Sequence, residues 1–421
     1  MKTIKLQGID EVIYFTTTKD GLPIYIWKNE YAKSFYLSLN VNYGSIDTEF
    51  EIKGKKYQVP DGIAHFMEHI KFNVKKGVTA NDLFDPLGSD INAFTTFQFT
   101  SYLVYGTLNL KENLEHLLDY VYNPYFTKEM IKKEKGIIAS EINMGYDQPY
   151  NRLHFEFYKS IFEKEKYRNL ITGEVSDIKK IDLKDICLIY DVFYHPKNMF
   201  LIVTGNVNPF EIEDIVEKNL KKKNISKYLE PKRIDVKEPK NVHEKLKTIQ
   251  ANVEVPKAKI GLKLSRKDFQ YDDVKLNILL NVLLNINFGD TSDLKEELLT
   301  EGIVTYLNAS RYVMDDQVII DVTVESKYLD EAIERIKNAF LNLIVDPQEL
   351  KRKINASIAT MVVNYESSEQ VNSLIQNYLV YYKSLIPNLK EIYESITVEE
   401  VEDVISKINT KEMVIVKMER D

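Results

Sequence analysis

The segment SFYLSLNVNYGSID (34–47) alternates: Phe35, Leu37, Leu39, Val41 and Tyr43 fall on one side of an extended chain, and Gly44 ends the run. This predicts a strand with one face toward a core. TSYLVYGTL (100–108) and MFLIVTGNV (199–207) predict two more strands, the second short and buried. In LKENLEHLLDYVYNP (110–124) the period changes. Leu114, Leu117, Leu118 and Val121 recur at spacings of three and four, and Pro124 closes a helix. Strands and helices mixed in this way predict an α+β fold in which each domain is a sheet backed by helices.

A weak internal repeat sets the domain organisation. IDLKDI (181–186) and ITVEEV (396–401) share one pattern at an offset of 215 residues, close to half the chain. Asp182 and Thr397 are candidate helix caps, each with an acid three residues on, as in a capping box. Each is followed by a helix and then a strand, MFLIVTG in one case and EMVIVKM in the other. A duplicated domain accounts for the order, the offset and the length. Between the copies, residues 220–247 are charged, contain Pro231 and Pro239, and have little periodicity. The expected division is a domain over 1–222, a surface linker over 223–245 and a second domain of the same fold over 246–421.

Composition narrows the class. The chain has 421 residues, 44% hydrophobic and 29% charged, a globular balance. A net charge of −8 and a pI near 5.5 argue against a nucleic-acid partner. No apolar run reaches the roughly 18 residues that span a bilayer, and the N-terminus has no apolar signal core, so no membrane partner is expected. The single cysteine, Cys187, excludes an internal disulfide framework and reads as a small core residue. The expected location is cytoplasmic.

The chemistry concentrates in DGIAHFMEHIKFN (61–73). His65 and His69 stand four apart, one turn of helix, so both imidazoles share a face. Two imidazoles so placed fit one Zn²⁺, and Glu68 would project beside them, where a carboxylate can take a proton from water. The alternative is two satisfied histidines on a buried helix, since Ile63, Ala64, Phe66, Met67 and Ile70 are apolar. A catalytic zinc usually takes a third protein ligand. EKGIIASEINM (134–144) offers Glu134 and Glu141, seven apart and so on one helical face, among small and apolar neighbours that predict burial.

At this point the chain resembles the pitrilysin/insulinase family of zinc peptidases, the inverzincins. That family carries HxxEH followed some 70–80 residues later by a ligand glutamate, with another glutamate seven before it; here 71 residues separate His69 from Glu141, and Glu134 matches the earlier position. GSDINAFTTFQFTSY (88–102) and FYHPKNMFLIVTGNV (193–207) match two further family stretches. The likeness covers residues 1–220 strongly and in order; beyond 240 it rests on domain size and the repeat. It is nearest to the short bacterial processing-peptidase-like members. The implied fold is two homologous α/β-sandwich domains, each a mostly antiparallel sheet backed by helices, together one half of a clamshell.

The resemblance also implies roles. His65, His69 and Glu141 would hold one Zn²⁺ per chain, and Glu68 would be the general base in a metalloendopeptidase acting on peptides or unfolded polypeptides in an enclosed chamber. Glu134 would orient a histidine. Asn92, Ala93, Phe94 and Thr95 would lie on an edge strand that binds substrate backbone. His195 reads as structural, and His116, His154 and His243 match no motif. One departure matters. Active members use an arginine and a tyrosine from a C-terminal-type domain, seven positions apart. The matching stretch, LKEELLTEGIVTYL (294–307), contains Tyr306 but no arginine, and none occurs between Arg266 and Arg311. The expectation is a dimer, with a related subunit that lacks the zinc motif and supplies the pair, or else a homodimer. The alternative is a non-catalytic peptide-binding or structural subunit.

Overall fold

The computed structural model describes residues 1–420. Seven strands make one sheet: β1 (Lys2–Leu6), β2 (Glu11–Thr17), β3 (Pro23–Lys28), β4 (Phe35–Val41), β5 (Asp90–Thr95), β6 (Thr100–Gly106) and β7 (Met199–Gly205). Their order is β1-β2-β3-β7-β4-β6-β5, which leaves β5 at an edge. Five make a second sheet: β8 (Leu246–Ala251), β9 (Lys257–Ser265), β10 (Tyr306–Met314), β11 (Gln317–Glu325) and β12 (Met413–Arg420), in the order β8-β12-β9-β11-β10. The helices that set the site and the two cores are α1 (Ile63–Lys71), α2 (Leu110–Tyr122), α3 (Lys128–Asp147), α4 (Pro149–Ile161), α5 (Leu183–Phe193), α6 (Ser368–Tyr381) and α7 (Val398–Lys407).

The two sheets repeat one topology. Counting β3 to β7 in one and β8 to β12 in the other, the first strand lies beside the fifth, the fifth beside the second, the second beside the fourth, and the fourth beside the third. In each, only the first–fifth pair is parallel. The paired helix starts agree as well. Asp182 accepts the backbone N–H groups of Lys184 and Asp185, Thr397 accepts that of Glu400, and both form complete capping boxes. The six-residue repeat therefore marks a duplicated fold.

The compact units are not the contiguous stretches expected. One comprises Met1–Asn143, Leu170–Asp235 and Met361–Leu389; the other comprises Met144–Asn169, Val236–Thr360 and Lys390 onward. Each half of the sequence thus lends the other unit a helix, α6 to the first and α4 to the second. The reason lies in the second face of each central strand. On β4, Phe35, Leu37, Leu39 and Val41 face one way, as the alternation predicts. Tyr36, Ser38 and Asn40 face α6. There Ser38 donates to Asn372 Oδ1 at 2.6 Å, the Asn372 amide donates to the Tyr36 carbonyl, and Gln376 donates to Asn40 and Ser101. Around this polar seam, Val371, Ile375 and Leu379 pack with Trp27, Phe200 and Ile202. Buried polar groups need partners, and here the helix supplies them.

In the second unit, Gly261 of β9 lies so close to α4 that a Cβ would stand 2.5 Å from the Phe157 ring. Lys257, Lys259 and Lys263 are buried on that face, their ammonium groups 5.0, 5.2 and 5.4 Å from the ring centres of Tyr150, Phe157 and Phe162.

Two expectations need correction. Residues 223–245 are more than a surface linker. Lys232 and Arg233 pair with the strand Glu49–Ile52, and the side chain of Glu238 is buried, accepting the backbone N–H groups of Glu163, Lys164 and Glu165 and the ammonium of Lys263. Cys187 is exposed, because α5 turns Ile186, Ile189 and Val192 inward instead. No helix among the described residues is long and apolar enough to cross a membrane.

Candidate metal centre

Helix α1 starts at Gly62, whose φ is 81°. A Cβ at this position would stand 2.2 Å from the Thr172 carbonyl oxygen, so only glycine fits. Ile63, Ala64, Phe66, Met67 and Ile70 are buried, and this apolar packing carries His65 and Glu68 to 8% and 7% exposure. The histidine donors and the Glu68 carboxylate lie within 4.8 Å of one another. α3 brings in two more carboxylates. Glu141 places Oε1 3.5 Å from His65 Nε2 and Oε2 3.3 Å from His69 Nε2. Glu134, on the same helical face and two turns back, meets His69 Nδ1 at 2.9 Å. The intervening helix is less buried than its composition predicts: Ile138 is in the core, but Ile137 is 46% exposed.

The 2.9 Å contact is an ordinary hydrogen bond, whereas the two to Glu141 are long for one and close to the separation of neighbouring ligands on a metal. N–H···O bonds run to about 3.2 Å. Ligands at 2.0–2.1 Å around a tetrahedral zinc stand about 3.3–3.4 Å apart. The Nε2-to-oxygen separations of 3.5 and 3.3 Å, one to each oxygen of Glu141, lie close to that spacing. Glu134 completes the arrangement: its carboxylate at His69 Nδ1 keeps a proton there, so Nε2 is the nitrogen that would be left for a metal once it gives up its own proton. His65 Nδ1 is buried without a partner, so no such contact fixes its tautomer.

Burial opposes a charged His69, but its hydrogen bonds to Glu134 and Glu141 and the charges of Glu68 and Glu141 outweigh this and hold its pKa up at about 10. The hydrogen bonds from His65 and His69 hold the Glu141 carboxyl far below its ordinary range. In the metal-free chain the His69 shift makes stability depend on pH. The shift at His69 stabilises the fold fully below 6.5, and that contribution fades as pH rises toward 10. Zinc needs the neutral imidazole, so uptake near neutral pH is expected to release about one proton from His69, and apparent affinity should rise about tenfold per pH unit. Calorimetric titration in buffers of different ionisation enthalpy measures this; heats independent of buffer would contradict it.

The edge strand β5 runs beside α1. Asp90, Asn92 and Phe94 are exposed on one side, and Ile91, Ala93 and Thr95 are half-buried on the other. Asn92 Oδ1 accepts the Ala93 N–H at 2.8 Å, and Phe94 stands edge-on to Phe99. The Thr95 hydroxyl donates to Glu68 Oε2 at 2.7 Å, a contact that the sequence pattern does not anticipate. Strand alternation turns Thr95 to the same side as Ala93, and that is the one signal available. His195 caps a turn, accepting the Lys197 N–H at Nδ1 and lying 3.1 Å from the Ser226 carbonyl at Nε2.

In the second unit, Tyr306 begins the edge strand β10 and is 42% exposed. Seven positions before it stands Leu299, also exposed. The arginines of this region are engaged elsewhere. Arg311 donates to the Asn277 carbonyl, and Arg335 is held by Glu297 at 2.5 Å and Glu301 at 2.7 Å.

Comparison with known proteins places the chain in a family. Residues 24–174 match the family described as insulinase (peptidase family M16), and residues 180–357 match the peptidase M16 inactive domain. The uncharacterised zinc protease YmfH of Bacillus subtilis is 35% identical over 416 residues, 97% of this chain and 96% of that one. The chain belongs to the M16 peptidase family. The zinc protease PqqE of Helicobacter pylori is 26% identical over 86% of this M16 chain and 82% of its own length. Among solved structures, an M16-like peptidase from Alicyclobacillus acidocaldarius matches 98% of this chain and 99% of that one, with a TM-score of 0.93 at 24% identity. The periplasmic protease PqqL of Escherichia coli matches 99% of this chain but 48% of its own, with a TM-score of 0.76 at 16% identity.

Proposed function

We propose that this chain is the metal-bearing subunit of a two-subunit zinc endopeptidase that hydrolyses short or unfolded peptides in an enclosed chamber. The observation that carries the reading is the convergence of His65, His69 and Glu141 at zinc-ligand spacing, with Glu68 beside them. These three residues would hold the zinc. When bound, zinc makes water nucleophilic at neutral pH and polarises a carbonyl. Glu68 takes the proton as water oxygen attacks the scissile carbonyl carbon, and passes it to the amine nitrogen as the C–N bond breaks. β5 offers a free edge, and an extended peptide adding there by main-chain hydrogen bonds would run past Glu68.

The second subunit is inferred from what this unit lacks. A developing oxyanion needs preorganised donors. The stretch that resembles the family's Arg/Tyr segment holds Tyr306 but no arginine, and Arg311 and Arg335 are committed to other partners. A related chain carrying the Arg/Tyr pair would supply them.

The test measures zinc content and cleavage of a mixture of unstructured peptides by one preparation, alone, with a homologous subunit, and with a chelator. About one zinc per chain, with cleavage only when the homologue is present and none after chelation, is the expected result. Cleavage by the lone chain would overturn the two-subunit requirement. Bound zinc without cleavage in any combination would favour a peptide-binding subunit.

A further inference from the structure

The Thr95–Glu68 contact joins two parts of the proposed machinery that the sequence keeps 27 residues apart. Glu68 lies on α1 and Thr95 ends β5, the strand with the free edge. The direction of the bond is fixed by the inventory of protons. An ionised carboxylate only accepts, so Thr95 donates. Its neighbour Thr100, directly opposite on β6, lies 3.5 Å away and spends its own proton on the Tyr43 carbonyl at 2.9 Å. Thr100 therefore does not compete for Glu68, and its contact with the Tyr43 carbonyl ties the start of β6, opposite Thr95, to the loop after β4.

We propose that Thr95 is a positioning residue for the reaction: its hydroxyl holds one oxygen of Glu68 and so sets the other for proton transfer, and because Thr95 sits on the edge strand, alignment of a peptide there and alignment of the base are one geometry. The inference rests on the peptidase reading above. A carboxylate on a flexible side chain has two equivalent oxygens and a free terminal torsion. A charge-assisted hydrogen bond to one oxygen removes that freedom. Thr95 thus serves Glu68 in addition to any backbone contact it makes with substrate.

Thr95→Val keeps the shape and removes the hydroxyl, Thr95→Ser keeps the hydroxyl and removes the methyl, and Thr95→Ala serves as a second deletion should the valine disturb the fold. They are compared in the zinc-loaded preparation, with the homologous subunit where turnover requires it. Thr95→Val and Thr95→Ala are expected to lower kcat by about tenfold to a hundredfold. KM should stay within about twofold, and Thr95→Ser should recover most of the rate. Zinc content should be unchanged, and so should the affinity of an unstructured peptide for the metal-free chain, since the hydroxyl is turned to Glu68. A KM and a peptide Kd that rise together at constant kcat would make Thr95 a substrate contact only and overturn the inference. A serine variant as slow as the valine would assign the effect to methyl packing and overturn it equally. Wild-type rates in all three variants would show the hydroxyl to be idle and the inference wrong. An unmutated preparation that binds zinc and never cleaves would instead remove the peptidase reading, and this inference with it.

Discussion

Glu68→Gln is expected to lower peptide cleavage by about two to four orders of magnitude while zinc remains at about one per chain. The substitution changes one atom in a buried side chain. Glutamine cannot accept a proton at working pH, yet its carbonyl oxygen can still accept the Thr95 hydroxyl, so the packing of α1 against β5 has no reason to change. Zinc retention is the decisive part. Glu68 lies within 4.8 Å of both histidine donors and could be mistaken for a ligand. The distances argue otherwise: the two oxygens of Glu141 face the two Nε2 atoms at 3.3 and 3.5 Å, whereas Glu68 is held at Oε2 by Thr95. Mass spectrometry of the intact holoprotein and a peptide-cleavage assay read both quantities from one sample. Loss of zinc with the substitution would move Glu68 into the ligand set. Cleavage within tenfold of the unmutated protein would leave the reaction without its base.

The same contrast separates what was legible in the sequence from what was not. Local periodicity carried α1, α2, β4, β6 and β7, because each of these elements writes its own buried face into a few residues. The spacing of His65 and His69, and that of Glu134 and Glu141, carried two pairs of side chains to one face each. That the two helices would meet, so that Glu141 reaches both histidines and Glu134 reaches one, is a tertiary fact; only the resemblance to a family anticipated it. The exchange of α4 and α6 was not legible at all. On β4, Ser38 and Asn40 alternate with the apolar face as a solvent side would, and on β9 the lysines at 257, 259 and 263 alternate with Ala258, Ile260, Leu262 and Leu264 in the same pattern. Both faces are buried because a helix from the distant half of the sequence lies over them. A hydrophobic pattern reports polarity, and a polar position buried against a polar partner has the same pattern as a wet one. The Thr95–Glu68 bond escaped for a related reason: a hydroxyl is compatible with an edge strand facing solvent, substrate or a carboxylate.

The buried lysines of β9 give the largest expected effect on stability. Lys259 donates to Asp321 at 2.6 Å, with side-chain exposures of 7% and 0%, beneath the Phe157 ring of α4. Burial raises the Asp321 carboxyl above its ordinary value, while the Lys259 charge opposes the rise, and Asp321 Oδ2 has no partner of its own. The pair is therefore held by one good contact inside a costly environment. Breaking it from one side strands a charge: Asp321→Ala is expected to destabilise the fold by about 3–5 kcal/mol. Replacing both members with apolar residues, Lys259→Met with Asp321→Leu, removes the charge and its desolvation together and should come within about 1–2 kcal/mol of the original stability, on either side. The two results taken together discriminate. If the pair is a net source of stability, the double variant is less stable than the original protein, though still more stable than the single variant with its stranded charge. If it is a fixed charge tolerated for the sake of the α4 contact, the double variant recovers what the single one lost. Denaturant unfolding, followed by circular dichroism with the slope checked for two-state behaviour, measures both. His154 of α4 reports the same field: burial first, then the Lys259 charge, holds its pKa down at about 4. The double variant removes that second cause, so the His154 titration should move upward toward the ordinary imidazole value, which proton NMR of the ring can follow. An unmoved His154 in a folded double variant would mean that burial alone sets it and that the Lys259 charge is already cancelled by Asp321.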